Sequence, residues 1–136
     1  MPKTIEGSCL CGKITFEVCE PFENFYFCHC NRCRKATGSA HSANIFASLD
    51  SLRWLSGENL SKEFELSHEN NFNKCFCTEC GSPVPVRAKS GEFYIVPAGN
   101  LHSETSTLPQ NNIFWEERAG WYKQGIKSIK CSGYPK

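Results

Sequence analysis

"CHCNRC" (28–33) and "CFCTEC" (75–80) share one spacing, C-x-C-x-x-C, and together hold six of the chain's ten cysteines. On an extended strand the two thiols of a C-x-C pair point to the same face, because side chains alternate with a period of two. A C-x-x-C pair on a tight turn also brings two thiols together. A third cluster, "CLC" (9–11), lies near the N-terminus. A closed structural zinc site needs four such ligands in a tetrahedron, whereas a catalytic zinc keeps three protein ligands and one exchangeable position. "CFCTECG" reads as a zinc knuckle, with Gly81 where the turn needs a permissive backbone. Pairing Cys9 and Cys11 with Cys77 and Cys80 completes a four-thiolate site and leaves Cys28, Cys30 and Cys33 as a set of three. Spacing leaves a second partition open, in which "CFCTEC" supplies three ligands and Cys9 or Cys11 completes each site.

Metal is the better reading of these clusters than disulfides only in a reducing compartment, and the rest of the chain favours one. The N-terminal "MPKTIEGSCLCG" has no apolar signal region, and no apolar run reaches the roughly eighteen residues of a membrane span. The expectation is a soluble, cytoplasmic protein with no membrane contact. The chain has 136 residues and a net charge of +1. That length suits one domain, 1–136, and the near-neutral charge argues against nucleic acid as a partner. Only 40% of residues are apolar, cysteines included, so metal ligation has to add to a modest core.

Between the clusters run short alternating segments. In "KITFEV" (13–18), Ile14, Phe16 and Val18 alternate with polar residues, as on a half-buried strand. "NFYF" (24–27), "HSANIFA" (41–47), "SLRWL" (51–55), "KEFEL" (62–66), "NKCFC" (73–77), "PVPVRA" (83–88), "EFYIV" (92–96) and "NIFWE" (112–116) read likewise. Turn signals such as "SGEN", "HENN" and "KSGE" separate them. Strands this short and evenly spaced predict an all-β fold. Helix is scarce: "NRCRKATG" has room for a short turn of helix ended by Gly38, and "ERAGWYKQG" for another.

In order, "GSCLCGKITFEV", "CHCNRCRKATGSA" and "CFCTECGSPV" resemble the motifs of the glutathione-dependent formaldehyde-activating family, which includes the centromere protein V group. The resemblance runs from Gly7 to about Val84 and continues more loosely through "IVPAGNL" and "IFWEERAGWY". It implies a zinc-containing β-tent of short antiparallel strands. It also selects the first partition: Cys9, Cys11, Cys77 and Cys80 hold a structural zinc, and Cys28, Cys30 and Cys33 a catalytic one, two zinc ions per chain. The implied activity is that of a carbon–sulfur lyase acting on a small-molecule thiol and aldehyde, typically glutathione and formaldehyde. The rival reading is a non-catalytic zinc module that binds a partner.

Other residues carry weaker signals. His29 lies between two ligands and should point to the opposite face of its strand. His41 is a candidate fourth ligand or proton shuttle at the three-cysteine site, against a plain surface role. Arg32, Arg34 and Lys35 offer either charge for substrate carboxylates or a solvated patch. Cys19, Cys75 and Cys131 read as small hydrophobes or exposed thiols. Trp54, Trp115 and Trp121 read as packing residues, and His68 and His102 as loop residues.

Overall fold

A computed structural model describes residues 3–66 and 72–136. His68 and the "HENN" turn lie outside the described residues.

The chain runs β1 (Thr4–Ser8), β2 (Thr15–Cys19), β3 (Asn24–Cys28), α1 (Asn31–Thr37), β4 (Ser42–Ser48), β5 (Leu52–Ser56), β6 (Ser61–Glu65), β7 (Asn73–Cys77), β8 (Pro83–Val84), β9 (Val86–Arg87), β10 (Phe93–Pro97), β11 (Asn111–Ile113) and α2 (Tyr122–Lys127). The strands form three sheets in the orders β1-β2-β5, β11-β3-β4-β10-β9 and β6-β7-β8. The predicted all-β class holds, with helix confined among the described residues to α1, α2 and single turns. α1 stops at Gly38, whose N–H donates to the Arg34 carbonyl at 2.8 Å.

Three sequence expectations need correction. β1 was not expected. "NIFWE" stays extended only to Ile113, because Phe114 takes φ 55° and turns the chain into a single helical turn at Trp115–Glu117. And not every strand pair is antiparallel: β11 runs parallel to β3, with Ile113 opposite Cys28.

Alternation places the core. Phe16 and Val18 of β2 point inward to meet Ile5, Phe25, Ile45, Leu52 and Val96. Trp54 packs edge-on against Phe16, with ring centroids 6.0 Å apart. A second apolar cluster joins Ile14, Val84 and Val86 to Cys9, Cys75 and Cys77. A third consists of Cys28, Cys30 and Cys33, capped by Phe72 and Ile113. Two of the three clusters are therefore built around thiols, as expected of a chain with few apolar residues to spare.

Candidate metal centres

The first centre joins two turns far apart in sequence. Cys9 and Cys11 flank the turn after β1. Cys77 ends β7, and Cys80 follows in the knuckle, where Gly81 at φ 77° returns its N–H to the Cys77 carbonyl at 2.8 Å. The four sulfurs all lie within 4.8 Å of one another. Cys9 Sγ is 3.6 Å from Cys11 Sγ, and Cys11 Sγ is 3.9 Å from Cys77 Sγ. A tetrahedron with metal–sulfur bonds of zinc length has an edge of about 3.8 Å, so this spacing fits. Backbone N–H groups of Ile14 and Glu79 point at Cys9 Sγ and Cys77 Sγ, each at 3.4 Å. The Ser82 hydroxyl lies 3.3 Å from Cys80 Sγ. Hydrogen bonds from the Ser82 hydroxyl first, then from the Ser82 and Cys11 backbones, pull the Cys80 thiol down to about 5. At Cys11 the Lys13 backbone bond lowers the pKa, but desolvation and the neighbouring thiols prevail and push it up to about 11.

At the second centre, Cys28 ends β3, Cys30 caps α1, and Cys33 sits in the first turn of that helix. All three are buried. Cys30 Sγ accepts the Cys33 N–H at 3.4 Å, which is the helix cap itself. The hydrogen bond from Cys33 holds the Cys28 thiol down at about 6, and the same bond pushes Cys33 well above the usual thiol range. Ser42 lies opposite Cys28 across the β3–β4 ladder, and its buried hydroxyl has no hydrogen-bond partner among the described residues. Both clusters could hold a metal ion.

The expected partition is thus the one the fold assembles: Cys9, Cys11, Cys77 and Cys80 converge, and Cys28, Cys30 and Cys33 converge elsewhere. His41 does not join either group. Its ring stacks on Phe27 with centroids 4.3 Å apart, and its Nδ1 donates to the Ser42 carbonyl at 3.1 Å. His29 turns away from the thiols as predicted. It is fully buried, donates from Nε2 to Asn112 Oδ1 at 2.9 Å, and packs edge-on against Trp115 and Tyr122. Trp121 breaks the packing expectation, being 60% exposed. His102 bonds Ser8 Oγ through Nε2 at 2.9 Å.

Among the described residues, Cys28, Cys30 and Cys33 line a cavity of about 360 Å³. Arg32 lines it, with its guanidinium 5.6 Å from the centre of the Phe72 ring. Arg34 instead donates to the Glu117 carbonyl at 3.0 Å, while Glu117 Oε1 accepts the Asn31 N–H at 3.0 Å. The turn after β11 therefore braces the start of α1. Lys35 is exposed. Of the three leftover cysteines, Cys75 is buried in the cavity wall and burial pushes its thiol up. Cys19 is half-buried and Cys131 exposed. Sequence reading missed Ser42, Phe72 and Ile113, which surround the thiols. Ser42 lies across a strand ladder from Cys28, a relation that no local spacing marks.

Over residues 4–117 the sequence matches the family described as glutathione-dependent formaldehyde-activating enzyme. The chain belongs to this family. Among the family's relatives, a Halomonas elongata protein named "Putative glutathione-dependent formaldehyde-activating enzyme" is 27% identical over 139 residues, spanning 96% of this chain and 88% of the relative. The crystal structure of a Rhodobacter sphaeroides protein shares the fold, with a TM-score of 0.59 and 24% identity over 74% of this chain and 91% of that one. Among the described residues no helix is long and apolar enough to cross a membrane.

Proposed function

We propose that this chain is a zinc-dependent carbon–sulfur lyase that forms and cleaves the adduct of a thiol with a small aldehyde. Glutathione and formaldehyde are the pair that the family's name supplies. In this reading Cys9, Cys11, Cys77 and Cys80 hold a structural zinc, and Cys28, Cys30 and Cys33 hold the catalytic one.

The observation that carries the reading is the contrast between the centres. Four thiols close on one another beneath backbone N–H groups; three thiols face a cavity with room for a reactant. A zinc ion bound there would supply positive charge that favours the thiolate form of a substrate sulfur. The chain's own residues would do the rest. Cys30 fixes the start of α1, and with it the position of Cys33. Phe72 and Ile113 keep water off the thiols. Arg32, at the wall, offers charge to a substrate carboxylate. Holding sulfur and carbonyl side by side lowers the barrier by proximity.

A non-catalytic module would close the three-thiol centre with a fourth protein ligand. His41 was the candidate, and its stacking on Phe27 argues for the enzyme instead. All ten cysteines are free, which favours a reducing compartment such as the cytoplasm.

NMR exchange spectroscopy at fixed glutathione and formaldehyde, with other aldehydes in parallel, measures interconversion at equilibrium. It thereby separates catalysis from the appreciable background reaction. Zinc-loaded wild type should exchange the adduct faster, and Cys30→Ala should not. No acceleration with any aldehyde would leave the binding-module reading in its place.

A further inference from the structure

The cavity beside Cys28, Cys30 and Cys33 is far larger than formaldehyde needs. Its volume of about 360 Å³ falls at the low end of the range for pockets that take organic ligands, roughly 300–1,000 Å³. A one-carbon aldehyde is closer in size to a water molecule, whose share of the liquid is about 30 Å³. The wall is also of the wrong chemistry for a small hydrated molecule. Phe72 and Ile113 lie directly against the thiols, and Phe46, Val84, Val86 and Ile95 extend the apolar lining.

Arg32 and the buried Ser42 hydroxyl line the wall, while two further polar groups, Lys74 and Asn73, are engaged with the fold. Lys74 Nζ donates to the Ala36 carbonyl at 2.9 Å. Asn73 Nδ2 is taken by Glu63 Oε2 and the Arg87 carbonyl, each at 3.0 Å. No acidic residue is among the described residues lining the cavity, so a substrate ammonium would find no counter-charge. Apart from Arg32, which meets a carboxylate at the wall, this interior is poorly matched to the peptide part of glutathione, with its ammonium, carboxylates and amides, because burying unpaired polar groups is costly. The peptide part belongs at the mouth. An apolar group attached to the reacting carbon belongs inside.

We propose that this cavity selects an aldehyde carrying an aromatic or branched aliphatic group of benzaldehyde's size, making the adduct an S-(1-hydroxyalkyl) thiol with an apolar substituent. The proposal rests on the thiol–aldehyde reading above and replaces only the aldehyde. The chemistry balances without an oxidant or reductant. The S–C bond forms as the carbonyl π bond breaks, and the thiol proton ends on the aldehyde oxygen as a hydroxyl; cleavage is the reverse.

The first test avoids turnover. S-benzylglutathione and S-methylglutathione are stable thioethers that differ only in the group meant for the cavity. Each buried methylene is worth roughly fourfold in affinity. Calorimetry on zinc-loaded protein should therefore show the benzyl compound binding at least about tenfold tighter. Ala36→Phe fills the cavity from the half-buried face of α1 and should bring the two affinities to within about twofold. Equal affinities in wild type overturn the proposal, as does a benzyl preference that survives in folded Ala36→Phe. Because that variant could fold poorly, exchange spectroscopy on wild type provides a second measurement. Acceleration should be greater for benzaldehyde than for formaldehyde. Acceleration of formaldehyde alone would overturn the cavity proposal and leave the lyase reading standing. Acceleration of neither would remove both.

Discussion

Glu20 is only 6% exposed, yet it keeps its charge. Burial pushes its carboxyl pKa up, but the Ser106 hydroxyl and the Ser106 and Thr107 N–H groups outweigh that and hold it below the ordinary carboxylate value. The Ser106 N–H lies 2.7 Å from Oε2, and its hydroxyl 2.8 Å from Oε1. A carboxyl lowered by folding contributes its full stability above its unfolded pKa, and that contribution fades as the pH falls through the lowered, folded value. Glu20→Gln should therefore destabilise the protein by ~1.5–3 kcal/mol at neutral pH, the worth of hydrogen bonds to a charged group. The gap between variant and wild type should shrink on acidification below the ordinary carboxylate range. Urea titrations at a series of pH values check this, and a gap that stays constant into acid would assign the effect to packing. Nothing in "CEPFEN" marked Glu20 as a buried anchor, since its partner lies 86 positions away.

Between elements, the tightest junction is at Gly57, just after β5. It holds φ 71°, and a Cβ there would run into the Lys13 carbonyl. That carbonyl also accepts the Ser56 hydroxyl at 3.1 Å, so the turn supports the start of β2, next to the Cys9–Cys11 hairpin. Gly57→Ala should cost ~1–3 kcal/mol for the left-handed backbone alone, with the clash added, and thermal melts would register it. The knuckle gives a sharper contrast. Cys77→Ala breaks the link between the β1–β2 turn and β7 and should lower Tm by ~10 °C or more. Cys30→Ala removes a thiol from a centre held by one strand and one short helix, so its melt should move by much less. The opposite ranking would assign the structural role to the wrong cluster. Elements of this kind were legible wherever apolar residues alternated, as in "KITFEV". β1 was not, because "TIEGS" offers one large apolar side chain, Ile5, and buries Gly7 only because the Phe16 ring lies over it. The parallel pairing of β11 with β3 was hidden for a related reason: it joins segments some 85 positions apart, and pairing over that distance leaves no local trace. The cysteine clusters were readable because ligand spacing is local chemistry. The cavity wall was not, since Phe72 and Ile113 arrive from distant segments.

For the molecule as a whole, protein purified without chelator should carry two zinc ions per chain by elemental analysis. Mild chelation should leave one, the ion held by four thiolates, and a folded protein with none would end the scheme. Strand β7 makes the two centres less independent than this count suggests. Its two buried cysteines lie one pleat apart: Cys77 belongs to the four-thiol centre, while Cys75 forms part of the cavity wall. A single rigid strand thus spans two binding equilibria, and any free energy of coupling between them must be the same in both directions. Filling the cavity with S-benzylglutathione should raise the structural zinc's affinity, measured at equilibrium against a competing chelator. Conversely, stripping that zinc should weaken the thioether's hold by a matching factor, so that the ion furthest from the chemistry acts as a silent effector of it.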